Sequence, residues 1–375
     1  MKASGCGEEK RGVRRKIRVT SISGRGYVFI PGGWSGSSDF SRGTGEESRF
    51  AVKLSKGFRV RITMMVAVAM GAAVALPARA TQIDTDARSA IPHDIQQLIV
   101  VDYREMENSP TAMNLKARLL PPQLKDLETA LSHSGMNVGD DVEVLAFAAY
   151  RTGTGNGDNV DVVGVAEGQF EVNDIVAGFT KKKVKPIVIR NNRLWPMGTS
   201  GMLVTFLNPT TMLFGSKDSL KPALDARDGL APSLLTNGDM MSAMGQVDSQ
   251  PLWSIMDQEG TQYMMRSLLG QASQLANFDT LKTRLQSSSY TLNFNNGVNF
   301  SLNVNTTDNF TAATMSTLLN AAAMFEKASG TAVEKQAINS TTINSTASVL
   351  TVSFSSSDNQ FESLLQSPLF ADVVR

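Results

Sequence analysis

Two histidines and one cysteine in 375 residues leave few ways to build a reactive centre. His93 follows Pro92, and His133 stands two residues before Gly135, where a helix must stop. Neither belongs to an H-E-x-x-H or similar ligand spacing, and two histidines without a nearby thiolate do not fill a standard zinc site. A cation at the end of a helix accounts for His133. A hydrolytic serine needs a turn such as G-x-S-x-G, and Gly198-Thr-Ser200-Gly201 breaks that spacing. Ser200 is therefore read as part of a hairpin loop, and Ser216 and Ser356 as helix caps. Any hydrolase built from Ser200, His133 and Asp158 would be assembled from poor candidates, so no catalytic residue, cofactor or metal is assigned. The pair Asp140-Asp141 is expected to begin a strand, with no partner carboxylate marked across a cleft.

Three other patterns have a chemical and a plain structural reading. The loop from Gly153 to Asp161 is glycine-rich, but it joins two strands instead of opening a helix, which removes the dinucleotide reading. Asn156, Asp158 and Asp161 supply too few oxygens for calcium, so a hairpin tip is expected. Lys181-Lys-Lys-Val-Lys185 follows an amphipathic segment and reads as a solvated last turn. Methionine is the most unusual count, with 14 of 18 beyond residue 80. Met241-x-x-Met244 has the softness to hold Cu(I), yet Met240, Met241, Met244, Trp253, Met264 and Met265 fall at helical spacing among leucines. They are expected to pack a core or to line an apolar groove. The sequons at Asn305, Asn339 and Asn344 matter only in a cell that glycosylates asparagine, and Asn339 to Ser348 reads as a linker feeding the last strand.

The near-zero net charge of +1 sums two unlike pieces. Residues 1–80 carry 15 Lys and Arg against 5 Asp and Glu; the remaining 295 carry 21 against 30. An acidic body repels phosphate backbones, so nucleic acid is not an expected partner. Within the basic piece, Lys53, Lys56, Arg59 and Arg61 precede an uncharged apolar run from Met64 to Leu76, then Pro77 and Ala78-Arg79-Ala80. Thirteen apolar residues suit the core of a secretory signal, and a spanning helix needs about 20. Cleavage between Ala80 and Thr81 is expected, giving a periplasmic or extracellular chain that touches the membrane only through its signal. Residues 1–51, rich in Gly, Ser and Arg, fit poorly before a signal and read as a disordered or mis-annotated extension. Cys6 goes with them, which leaves the expected mature chain without cysteine.

Residues 81–229 and 230–375 read as two modules. Phe214-Gly-Ser216-Lys-Asp218 and Phe354-Ser-Ser356-Ser-Asp358 stand 140 residues apart, and each delivers a strand into a helix. Strands are expected at Leu98–Tyr103, Val142–Tyr150 and Val160–Glu167, then at Ile187–Ile189, Met202–Leu207 and Thr211–Phe214. In the second half they fall at Leu252–Met256 and in the hairpin Tyr290–Phe294, Asn296-Gly297, Val298–Val304, followed by a helix over Phe310–Phe325. The fold class is α+β: two tandem pseudo-repeated modules, each an antiparallel or mixed sheet covered by helices. True duplication and coincidence of two α+β stretches both fit the low identity between halves.

At Val101-Asp-Tyr-Arg-Glu-Met-Glu-Asn-Ser-Pro110, Asn208-Pro-Thr-Thr-Met-Leu-Phe-Gly215 and Leu224-Asp-Ala-Arg-Asp-Gly229 the chain resembles exported bacterial proteins of unknown function with duplicated α+β units. The resemblance implies a fold and no mechanism. The expected function is that of a non-enzymatic scaffold or binding protein of the bacterial cell envelope, working through sheet faces or a Met-lined groove. A carrier of an apolar or lipid-like ligand and an unrecognised hydrolase are the alternatives. No partner is assigned from the residues; an envelope protein or an apolar ligand is the class that fits this reading.

Overall fold

The computed structural model describes residues 82–151, 160–269 and 278–367. The signal segment 52–80, its cleavage point Ala80/Thr81, the extension 1–51 and the loop tip 153–158 lie outside the described residues.

The chain begins with a short helix, α1 (Thr85–Ala90), capped by Asp84, then β1 (Gln97–Asp102). Four helices follow: α2 (Tyr103–Glu107), α3 (Pro110–Leu119), α4 (Pro122–His133) and the single turn α5 (Val138–Asp141). Ser109 accepts the Ala112 amide at the start of α3, with Pro110 in the first helical position, where its missing N–H costs nothing. Asp140 and Asp141 thus close a helical turn instead of opening a strand, because Asn137 N–H and the Val138 carbonyl are satisfied within that turn. β2 (Val142–Arg151), β3 (Val160–Gly168) and α6 (Val172–Lys181) come next. A meander of β4 (Ile187–Ile189), β5 (Asn192–Met197), β6 (Met202–Asn208) and β7 (Thr211–Gly215) leads into α7 (Lys217–Arg227).

The second half opens with α8 (Gly238–Met244), β8 (Leu252–Met256), α9 (Gln258–Leu269) and the turn α10 (Phe278–Leu281). β9 (Leu285–Asn293) and β10 (Val298–Thr306) form the Asn-Gly hairpin. There Asn296 and Gly297 both take positive φ, and a Cβ on Gly297 would lie 2.2 Å from the Ser356 carbonyl. α11 (Asn309–Ser329), α12 (Ala332–Asn339), β11 (Thr341–Thr346), β12 (Val349–Ser356) and α13 (Asp358–Leu365) complete it. β11 occupies what the sequence suggested was a linker; its Thr-Thr-Ile-Asn-Ser-Thr alternates too weakly in hydrophobicity to announce a strand. The cap of α13 is Ser357, not Ser356, which belongs to β12.

Among the described residues all strands join one 12-stranded sheet in the order β11-β12-β10-β9-β8-β1-β2-β3-β7-β6-β5-β4, and every neighbouring pair is antiparallel. The fold is α+β with a single antiparallel sheet that runs unbroken across residue 230. Outward from the central β1·β8 pair, both halves follow the same order of connection: β1-β2-β3-β7-β6 on one side and β8-β9-β10-β12-β11 on the other.

Alternation along the strands gives the sheet two faces with separate cores. Ile99 and Val101 of β1 belong to the first core, with α2 to α6, α9, α11 and α13. Leu98 and Val100 belong to the second, with α1, α7 and α8. The first core runs from β5 to β12. The second stops at β8: among the described residues no buried apolar cluster covers that face of β9, β10, β12 and β11.

Candidate functional site

The uncovered face is built from alternate positions of four strands. Register pairs set Asn293, Asn299 and Ser355 in one row, and Thr291, Ser301, Ser353 and Thr342 in the next. Ser289, Asn303, Thr351 and Asn344 form a third row; Ser287, Asn305, Val349 and Thr346 form a fourth. Val349 is the one residue there that is not Ser, Thr or Asn, and none is charged. The intervening residues, among them Tyr290, Leu292, Leu302, Val304 and Leu350, are buried on the other face. The polar side chains are tied sideways: Asn299 Nδ2 donates to Asn293 Oδ1 at 3.3 Å, and Ser355 Oγ to Asn299 Oδ1 at 2.7 Å. Thr351 Oγ1 donates to Asn303 Oδ1 at 3.0 Å, and Asn305 Nδ2 to Ser287 Oγ at 3.0 Å.

Where covered and uncovered regions meet, the wall made by α8 and the start of α9 leaves an open cleft of about 1260 Å³. Ser287 and Asn305 carry the polar rows onto its floor, and Asp239, Ser242 and Gln246 of α8 line one side. His93 and Gln96 line the cleft as well; His93 Nδ1 lies 3.0 Å from Thr236 Oγ1, and Gln96 Nε2 donates to Glu259 Oε2. The carboxylates Asp94, Asp257 and Glu259 also border it, and among the described residues no Lys or Arg does. Sequence reasoning did not mark this cleft, because its residues come from five separated segments. The signal it could have used is the charge-free alternation of Ser, Thr and Asn in residues 287–305 and 342–355.

The methionines do not share one groove. Met240, Met244 and Trp253 are buried together on the α8 side of the sheet, with Met241 packed partly against them. Met264 and Met265 of α9 are buried in the other core, across the sheet. Those on the α8 side form the dry backing of the cleft wall, and Met240 reaches its lining.

An apolar cavity of about 70 Å³ lies elsewhere, between α4 and the sheet, bordered by Leu124, Leu127, Met136, Phe147, Met212 and Phe214. At its rim the nearly buried Lys116 donates to Tyr103 Oη and Glu128 Oε1, each at 2.6 Å. Burial alone would lower the Lys116 pKa, but those two partners hold it above the ordinary value, while burial raises the Tyr103 hydroxyl. Beneath it, Phe147 and Phe214 meet edge to face at 5.7 Å across Gly164, where a Cβ would come within 2.2 Å of the Phe214 ring.

Of the serine candidates, Ser200 and Thr199 give their amides to Asp126 Oδ2, which holds that carboxyl below its usual range, the Thr199 amide chiefly. His133 ends α4 as expected, and its carbonyl receives Lys182 Nζ at 2.5 Å. The Ser200 amide and the His133 carbonyl thus have separate partners, and Asp158 is outside the described residues. Among the described residues no three His, Cys, Asp or Glu converge to hold a metal, and no helix is long and apolar enough to cross a membrane.

One more polar group is sunk beside the second core. Glu167 of β3 faces the same side as Val163 and Val165 and accepts the Asp84 amide at 2.7 Å at the entry to α1. Burial, with the Asp84 charge beside it, pushes its carboxyl up to about 8, against the pull of that amide.

No family model matches the chain, and no curated protein does. Solved structures of a protein titled TP0453 are similar to it: crystal form I at a TM-score of 0.43 and 12% identity, over 76% of this chain and 98% of that one. Crystal form IV gives 0.41 and 10% over the same shares.

Proposed function

We propose that the protein is an exported, non-enzymatic binding or scaffold protein of the bacterial cell envelope, and that it works through the uncovered half of its sheet. The observation that carries this reading is the unequal coverage of the sheet. One face is covered by a buried core from β5 to β12; the other is covered only as far as β8, and then continues as a polar platform opening into a large cleft. A rigid sheet backed by a full core presents such a platform at little entropic cost. The basic, apolar and small-residue segments ending at Ala80 support export. The acidic body argues against nucleic acid. Fractionation with N-terminal sequencing tests the export part: material outside the cytosol beginning at Thr81 is expected, and retention inside the cell would overturn it.

The apolar cavity under α4 favours a second reading, a carrier of a small apolar or amphiphilic ligand whose acidic head would meet Lys116. Native mass spectrometry of protein recovered from its own cell checks this. A bound apolar mass lost on filling the cavity with Ala166→Leu supports the carrier, and an empty protein removes it.

A further inference from the structure

We propose that the Ser/Thr/Asn face of β9, β10, β12 and β11 binds a neutral, hydroxyl-rich polysaccharide; this rests on the reading of that face as the working surface. Residues 81–375 hold 51 charged side chains, yet none occupies any position of the four polar rows. Exposed strands ordinarily carry charged residues, Lys above all, which also discourage unwanted association. A surface that has shed them cannot attract phosphate or anionic lipid, both of which need Lys or Arg. It is equally unsuited to an apolar ligand, which needs apolar area. An extended peptide adds to the edge of a sheet, not to its face.

What the face offers is a lattice of hydroxyl and amide groups about 14 Å by 20 Å, set by the spacing of strands and of alternate residues. Each hydroxyl and each amide both donates and accepts, as does each hydroxyl of a sugar. The lateral bonds from Ser355 to Asn299 and from Thr351 to Asn303 fix amide orientations before any ligand arrives. Ser287 and Asn305 belong both to the fourth row and to the lining of the cleft, so a chain lying on the face adjoins it. The rows contain no aromatic ring for a sugar to stack on. Each sugar unit is therefore held weakly and affinity grows with length, which selects a polymer over a monosaccharide.

The test is retention of the full chain on insoluble cellulose, chitin and mannan in 0.5 M NaCl. Retention on at least one polymer is expected, insensitive to salt and not competed by the free monosaccharide. Ser301→Arg and Ser353→Lys should each reduce it at least tenfold while leaving thermal unfolding unchanged; Ser353 is exposed, so its variant keeps the test valid should the more enclosed Ser301 disturb folding. Absence of retention on all three polymers overturns the proposal. So does retention indifferent to both variants, or a dimer in sedimentation that Ser353→Lys dissociates, which would give the face to a second copy. Fractionation remains separate: a protein that binds glycan but stays in the cytosol would sink the export reading and leave this inference standing.

Discussion

The halves of the sheet on either side of β8 obey the same alternation and end differently. In β1, Leu98 and Val100 face one core while Ile99 and Val101 face the other, so every side chain of the strand's middle is dry. In β10, Leu302 and Val304 are buried while Ser301, Asn303 and Asn305 look outward. The difference lies in the identity of every second residue, not in backbone geometry. Apolar residues at those positions recruit α1, α7 and α8; Ser, Thr and Asn leave the face open to solvent. One region spends its second face on stability, and the other keeps it available.

That contrast makes graded predictions. The largest effect belongs to Trp253→Ala, which empties the centre of the second core where Trp253 is fully buried. A loss of about 3–5 kcal/mol is expected in chemical denaturation. A loss below about 1 kcal/mol would mean that the covered face is not what holds β8. Next comes Gly164→Ala, which drives a methyl group into the Phe214 ring; overpacking of this kind costs about 1–3 kcal/mol, seen as a fall in denaturation midpoint. Phe214→Leu in the same chain should recover part of it.

Glu167 sharpens the comparison through pH. Its folded-state carboxyl titrates near 8 and its unfolded one near 4.5, so the folded protein keeps a proton that the unfolded chain has released. Stability from this group is full below pH 4.5 and is lost as pH rises towards 8. Glu167→Gln should match the parent at pH 4, exceed it by roughly 1–2 kcal/mol at pH 8 and flatten the slope between. Equal pH profiles for parent and variant would remove Glu167 as the cause. The smallest effects are expected on the open face: Ser301→Ala and Ser353→Ala should each shift stability by less than about 0.5 kcal/mol in thermal melts. A large loss there would show that the polar lattice is structural.

Much of the fold was legible locally. Ser109-Pro110 and Ser216 start helices because side-chain oxygens find amides within three residues. Asn296-Gly297 turns a hairpin because both residues tolerate positive φ. Alternation marked most strands, including Leu252–Met256 residue for residue. β5 was missed, since Asn-Arg-Leu-Trp-Pro-Met follows neither period, and β11 was missed because its polar residues hide the alternation. The site was less legible. Met240, Met244, Met264 and Met265 are buried and Met241 is half-buried, but helical spacing says nothing of which side of a sheet a helix occupies, and α8 and α9 lie on opposite sides.

Sequence by itself determined the local terms: where helices start and stop, which residues alternate, the acidic body behind a basic N-terminal segment, and the absence of any complete catalytic motif. These depend on neighbours a few residues apart, and so can be read along the chain. Only the tertiary structure decided that β1 and β8 pair to join both halves in one sheet, that the core on one face extends from β5 to β12 while the other stops at β8, and that four strands from residues 285 to 356 pool their polar rows beside α8. Pairing between strands more than 150 residues apart is set by the summed burial of both cores, a quantity that no local window contains.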